Sequence, residues 1–102
     1  MNELIKNRRA GIESLCRRYD VARLDVFGSA TTGGFDVTRS DVDFVVEFQR
    51  SARWSPADQY FGLLEELESL LGRRVDLVCA RAMRNPYFIQ SVNATRRPLY
   101  AA

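Results

Sequence analysis

The spacing of apolar positions along the chain switches between helical and extended periods, and each switch marks an element. From Asn2 to Tyr19, Leu4, Ile5, Ile12, Leu15, Cys16 and Tyr19 follow helical spacing, with Arg8 on the same stripe and out of character. Asp20 breaks that pattern. Val21 to Phe27 then alternates Ala22, Leu24 and Val26 against Arg23, Asp25 and Phe27, as a strand does. Gly28 and Ser29 end it, a short helix is expected around Ser29 to Thr32, and Gly33-Gly34 stops that turn before a loop through Phe35 to Ser40. Asp41 to Phe48 reads as a second strand, followed by a polar connector, Gln49 to Ser55, whose one large apolar residue is Trp54.

Ser55-Pro56 starts a helix, with serine as N-cap, proline at the first helical position and Asp58 in the first turn. Its buried stripe is Tyr60, Leu63, Leu64, Leu67, Leu70 and Leu71, and Gly72 ends it. Arg74 to Ala80 is a third strand. Asn85-Pro86 opens a last helix carrying Phe88, Ile89 and Val92, which Pro98 ends, leaving Leu99-Tyr100 as a short extended tail. Strands alternating with helices in a chain of 102 residues predict a single α/β (α+β) domain over 1–102, a small mixed sheet with helices packed on one face.

Composition changes that picture little. The apolar fraction of 46% and charged fraction of 27% suit an ordinary globular domain. A net charge of +2 is too small to imply bulk nucleic-acid binding, so no direct nucleic-acid partner is expected. Lys6 is the only lysine, and the arginine excess suits phosphate contacts without requiring them. Cys16 and Cys79 lack metal-ligand spacing and read as buried free thiols of a reducing cytoplasm. The first residues lack a signal-peptide core, and nothing approaches membrane-spanning length, so no membrane association is expected. Histidine is absent, so a general base must be a carboxylate and imidazole-ligated zinc is excluded.

The second strand carries the chemistry. Val42, Phe44, Val46 and Phe48 form one apolar side, which packs on the helices; Asp41, Asp43, Val45 and Glu47 form the other, expected to be open. In the third strand Val75, Leu77 and Cys79 suit the buried side, which turns Asp76 toward the same open face. Carboxylates held side by side raise one another's pKa unless a cation sits between them. Magnesium prefers oxygen ligands and binds through a few carboxylates plus substrate phosphates. Two such ions would stabilise both the attacking and the leaving oxygens of an in-line phosphoryl displacement. Gly28-Ser29 offers backbone N–H groups and a hydroxyl at an expected helix N-terminus, a cradle for phosphate. Asp76 is balanced between catalytic acid and structural partner of an arginine. Glu47 reads as a solvated strand end, and Asp25 and Asp36 as structural or surface groups. Trp54, Tyr60 and Phe61 read as helix core or a partner patch. Arg73, Arg74, Arg81, Arg84, Arg96 and Arg97 read as a solvated basic face.

Phe27-Gly28-Ser29, a loop, and then Ser40-Asp41-Val42-Asp43-Phe44-Val45-Val46 resemble the signature of the polymerase-β-type nucleotidyltransferase superfamily. The short length and Leu71-Gly72-Arg73-Arg74-Val75-Asp76-Leu77-Val78 are similar to its minimal nucleotidyltransferase (MNT) branch. The spacer from Ser29 to Asp41 is one residue longer than the common family pattern, and Thr32 stands where many members have arginine. The resemblance implies that Gly28 and Ser29 bind the triphosphate, that Asp41 and Asp43 ligate two Mg²⁺ ions, and that Asp76 is the third acid. It implies transfer of AMP from ATP to a hydroxyl of a partner protein, a HEPN-domain ribonuclease toxin that the MNT chain neutralises as antitoxin. Two alternatives stand beside it: a catalytically weak or inactive module that neutralises its partner by contact, and transfer to a small molecule such as an aminoglycoside.

Overall fold

The computed structural model describes residues 3–32 and 41–102. The N-terminal amphipathic segment forms two helices, α1 (Glu3–Asn7) and α2 (Arg9–Arg18), in place of the continuous one expected. They part at Arg8, the residue that did not suit the stripe. The break leaves Arg8 exposed while Ile5 and Ile12, on either side of it, are fully buried. Asp20, at φ 53°, turns the chain into β1 (Val21–Phe27). Then follow β2 (Val42–Phe48), α3 (Pro56–Leu71), β3 (Val75–Cys79), α4 (Pro86–Thr95) and β4 (Arg97–Ala101). The expected helix start at Asn2, the stop at Gly33-Gly34 and the loop through Phe35, Asp36 and Ser40 lie outside the described residues.

Capping chemistry fixes both later helices. The Ser55 hydroxyl accepts the Asp58 N–H at 3.1 Å, and Gly72 closes α3 in the left-handed region. Asn85 Oδ1 accepts the N–H groups of Tyr87 and Phe88 at the start of α4. The sheet has the order β3-β2-β1-β4. β1 runs antiparallel to both β2 and β4, whereas β2 and β3 are parallel because α3 is the crossover between them.

The main core lies between the sheet and α1, α2 and α3. Ile5, Ile12, Leu63 and Leu67 meet Leu24, Val26, Phe44 and Val46 there. The expectation of helices on one face needs amending. α4 returns over the opposite face, where Val92 joins Phe27 and Val45 in a second buried cluster. Val45 stands between two acidic positions and is itself 2% exposed, so this face is half covered instead of open. The expected tail is also corrected. Leu99 and Tyr100 belong to β4, in which Tyr100 pairs with Leu24, and Pro98 is accommodated because β4 is an edge strand. Among the described residues no helix is long and apolar enough to cross a membrane.

Candidate functional site

β1 ends beside the start of β2, so Phe27 pairs with Asp43 and Gly28 turns over that carboxylate. Gly28 adopts φ 73°, a conformation open to glycine at little cost. A Cβ at this position would lie 2.7 Å from Asp43 Oδ2, so any side chain would push the carboxylate away. The chain continues as a 3-10 turn over Gly28–Ala30 instead of the helix expected around Ser29 to Thr32. Its closure is the Thr31 N–H and the Thr31 hydroxyl, both donating to the Gly28 carbonyl at 3.0 Å.

Three residues sum only a small dipole, so no helix end polarises this turn. One expected donor is also engaged. The Gly28 N–H donates to Thr95 Oγ1 at 2.8 Å, from the last residue of α4. Ser29, half-buried, remains beside it. Thr95 was not legible as part of the site, because only the packing of α4 on the sheet brings it to a turn 67 residues away.

The parallel register of β2 and β3 sets Asp43 directly opposite Asp76. Facing positions on neighbouring strands project to the same side of the sheet. Asp41, just before β2, lies two residues from Asp43 and so on that side as well. Asp41 and Asp76 are exposed, and Asp43 is half-buried. Burial, then the charge of Asp76, then that of Asp41, push the Asp43 carboxyl up from 3.8 to about 6. The charges of Asp76 and Asp41 therefore both reach Asp43. Among the described residues no three such groups are close enough to form a closed metal cage.

The remaining candidates resolve into structural roles. Asp25 is fully buried and gripped from two directions, by Arg23 Nη2 at 2.9 Å and by Arg96 Nε at 2.7 Å. Arg96 thus leaves the solvated basic face to which the sequence assigned it; a buried carboxylate requires a partner. Trp54 packs on Tyr19 with ring centroids 4.9 Å apart, and the Tyr60 hydroxyl donates to the Leu77 carbonyl at 2.6 Å, whereas Phe61 is 59% exposed. Both cysteines are free thiols. Cys16 is buried, and burial pushes its pKa up to about 12; Cys79 is only half-buried, against expectation, with its pKa raised by the same cause. Phe88 lies edge-on to Phe27, the residue before Gly28, with ring centroids 6.1 Å apart, while Tyr87 beside it in the chain is 81% exposed.

A family model described as a nucleotidyltransferase domain matches residues 8–98. A Methanocaldococcus jannaschii protein named as a candidate protein adenylyltransferase is 35% identical over 75 residues, which are 74% of this chain and 73% of that protein. Among solved structures, a candidate minimal nucleotidyltransferase superposes with a TM-score of 0.76 at 33% identity, covering 94% of this chain and 93% of the other. A toxin–antitoxin crystal structure with AMP-PNP gives a TM-score of 0.70 at 25% identity over 92% of this chain and 73% of the matched one. A complex of tri-AMPylated Shewanella oneidensis HEPN toxin with MNT antitoxin shares the fold, with a TM-score of 0.66 at 21% identity over 95% of this chain and 72% of the matched one.

Proposed function

The chain belongs to the nucleotidyltransferase-domain family, and from that membership we propose that it moves AMP from ATP to a hydroxyl of a partner protein, a HEPN-family toxin that it neutralises as antitoxin in the cytoplasm. The observation that carries this reading is the pairing of Asp43 with Asp76 across parallel strands, beneath a glycine turn that only a residue without a side chain can make.

The donor set fits magnesium. It is all oxygen, and the raised pKa of Asp43 marks negative charge that no cation among the described residues offsets. Asp41, Asp43 and Asp76 would hold the metal, two ions in the full reaction. The absence of a closed three-acid cage suits an ion that completes its shell from substrate phosphates and water. Bound there, magnesium supplies neutralisation of the triphosphate and of the charge that develops on the attacking and leaving oxygens.

The chain's own groups do the rest. Gly28 leaves space beside Asp43, and Ser29 offers a hydroxyl and a backbone donor to the phosphate tail. The acceptor oxygen bonds to the α-phosphorus as the bond from that phosphorus to the bridging oxygen breaks, and pyrophosphate leaves. Asp76, exposed at the strand surface, takes the proton from the incoming hydroxyl. With the partner and ATP labelled at the α-phosphate, Asp41→Asn combined with Asp43→Asn should cut labelling by at least about 100-fold. Equal labelling by the double variant would sink the proposal.

A second reading, an inactive module that neutralises by contact, is favoured by the engagement of the Gly28 N–H with Thr95. It predicts that the double variant still silences the toxin while the wild-type protein leaves the toxin unlabelled.

A further inference from the structure

At the end of the sheet away from the carboxylates, where β1 begins and β2 and β3 finish, lies an open cavity of about 940 Å³. Asp43 and Phe48 sit at opposite ends of β2, five residues or about 17 Å apart along the strand, so this space is separate from the Gly28 turn. Its lining includes Phe48, Trp54 and Tyr60 together with Gln59. The polar tips of these side chains are tied to the backbone around them. The Trp54 indole N–H donates to the Arg18 carbonyl at 2.9 Å, and the Tyr60 hydroxyl to that of Leu77 at 2.6 Å. Gln59 Nε2 donates to the carbonyls of Tyr19 and Gln49, both at 2.9 Å. These bonds hold Trp54, Gln59 and Tyr60 in place around the cavity.

Arg50 and Arg81 also line the cavity, and both are exposed. Neighbouring arginines are engaged: Arg53 pairs with Asp20 at 2.9 Å and Arg18 with Glu66 at 2.7 Å. Among the described residues, the guanidinium groups of Arg50 and Arg81 have no hydrogen-bond or ion-pair partner within the protein. Aromatic side chains and two uncommitted cations lining one cavity suit a flat apolar body that ends in an anion. We propose that this cavity is a second binding site, distinct from the carboxylate site, for a small anionic aromatic molecule whose ring lies against Trp54 and Tyr60 and whose phosphate or carboxylate is held by Arg50 and Arg81. A nucleotide and an aromatic carboxylate both have this chemistry.

Trp54 is the only tryptophan in the chain, so its fluorescence reports on the cavity directly. The full-length protein, free of magnesium, is titrated with AMP and, separately, with 3-phenylpropanoate. Saturable quenching or a spectral shift with one of them supports the site, and the probe that acts identifies the source of the anion. Arg50→Ala combined with Arg81→Ala, both exposed positions, should weaken that binding by roughly tenfold or more, while Asp43→Asn leaves it unchanged. The proposal is overturned if neither probe acts at millimolar concentration, or if the double arginine variant binds as wild type. It is equally overturned if Asp43→Asn shifts the affinity in either direction, which would place the ligand at the carboxylate site. Circular dichroism of each variant establishes that lost binding is not lost folding.

Discussion

Asp43 carries a conflict that the metal-free protein cannot relieve. Its carboxyl titrates near 3.8 in an unfolded chain and near 6 in the fold, raised first by burial and then by Asp76 and Asp41. Between those values the folded state keeps a proton that the unfolded chain has released. The contribution of this group to stability is therefore full below about pH 4 and is lost as the pH rises through about 6, by less than about 3 kcal/mol because solvent screens a half-buried carboxylate. Asp43→Asn should flatten that slope and make the metal-free protein more stable near neutral pH. Urea unfolding of both proteins at about pH 4.5 and about pH 7.5 checks it. A stabilising change that removes activity is what a functional carboxylate, rather than a structural one, should give. Asp25 is the contrast. It is buried as deeply as any core residue but has two arginines on it, one from its own strand and one from the end of α4. Removing one partner of a buried pair is costly, so Arg96→Ala should destabilise by about 2–4 kcal/mol, whereas Arg97→Ala, at an exposed neighbour, should stay within about 0.5 kcal/mol. Chemical denaturation measures both.

Among the elements, α4 does more than cover the sheet. Its first turn is capped by Asn85, its middle buries Val92 against Phe27 and Val45, and its last residue holds the Gly28 N–H. A helix of ten residues has little stability alone, so its position depends on these contacts. Thr95→Val keeps the shape of the side chain but leaves the Gly28 N–H without its acceptor, at a cost of about 1–3 kcal/mol. Asn85→Ala, at the far end, should cost about 1 kcal/mol. If Thr95 positions the turn over Asp43, the valine variant should lose several-fold more labelling activity than the alanine variant at a temperature where both are folded. Equal losses would reduce Thr95 to a stabilising contact. The parallel pair of β2 and β3 is the other decisive element, because α3 returns the chain in the same direction and thereby sets Asp76 level with Asp43.

At the scale of the whole molecule, chemistry is segregated by the sheet. The carboxylates and the glycine turn occupy one end, the arginine-flanked cavity the other, and the main core lies between them under α3. Ligand binding to the folded state alone raises its stability, so ATP with Mg²⁺ at about 100 times the dissociation constant should add about 2.7 kcal/mol and raise Tm by roughly 10 °C. ATP with EDTA should give much less, and an equal shift in both would argue against a metal-bridged triphosphate. A thermal denaturation series reads this directly. Much of the architecture was legible beforehand: the strand Val21–Phe27, the capped helices after Ser55 and Asn85, the stop at Gly72, and the lone Asp76 in an apolar strand. Turn, cap and alternation preferences act within a few residues, so the sequence by itself determines them. The break at Arg8, the pairing of Leu99 and Tyr100 into a fourth strand, α4 on the second face, the Arg96–Asp25 pair and the Thr95–Gly28 bond came only with the tertiary structure. Each needs segments far apart in the chain to meet, and that meeting is decided by which apolar surfaces remain to be covered once the local elements have formed.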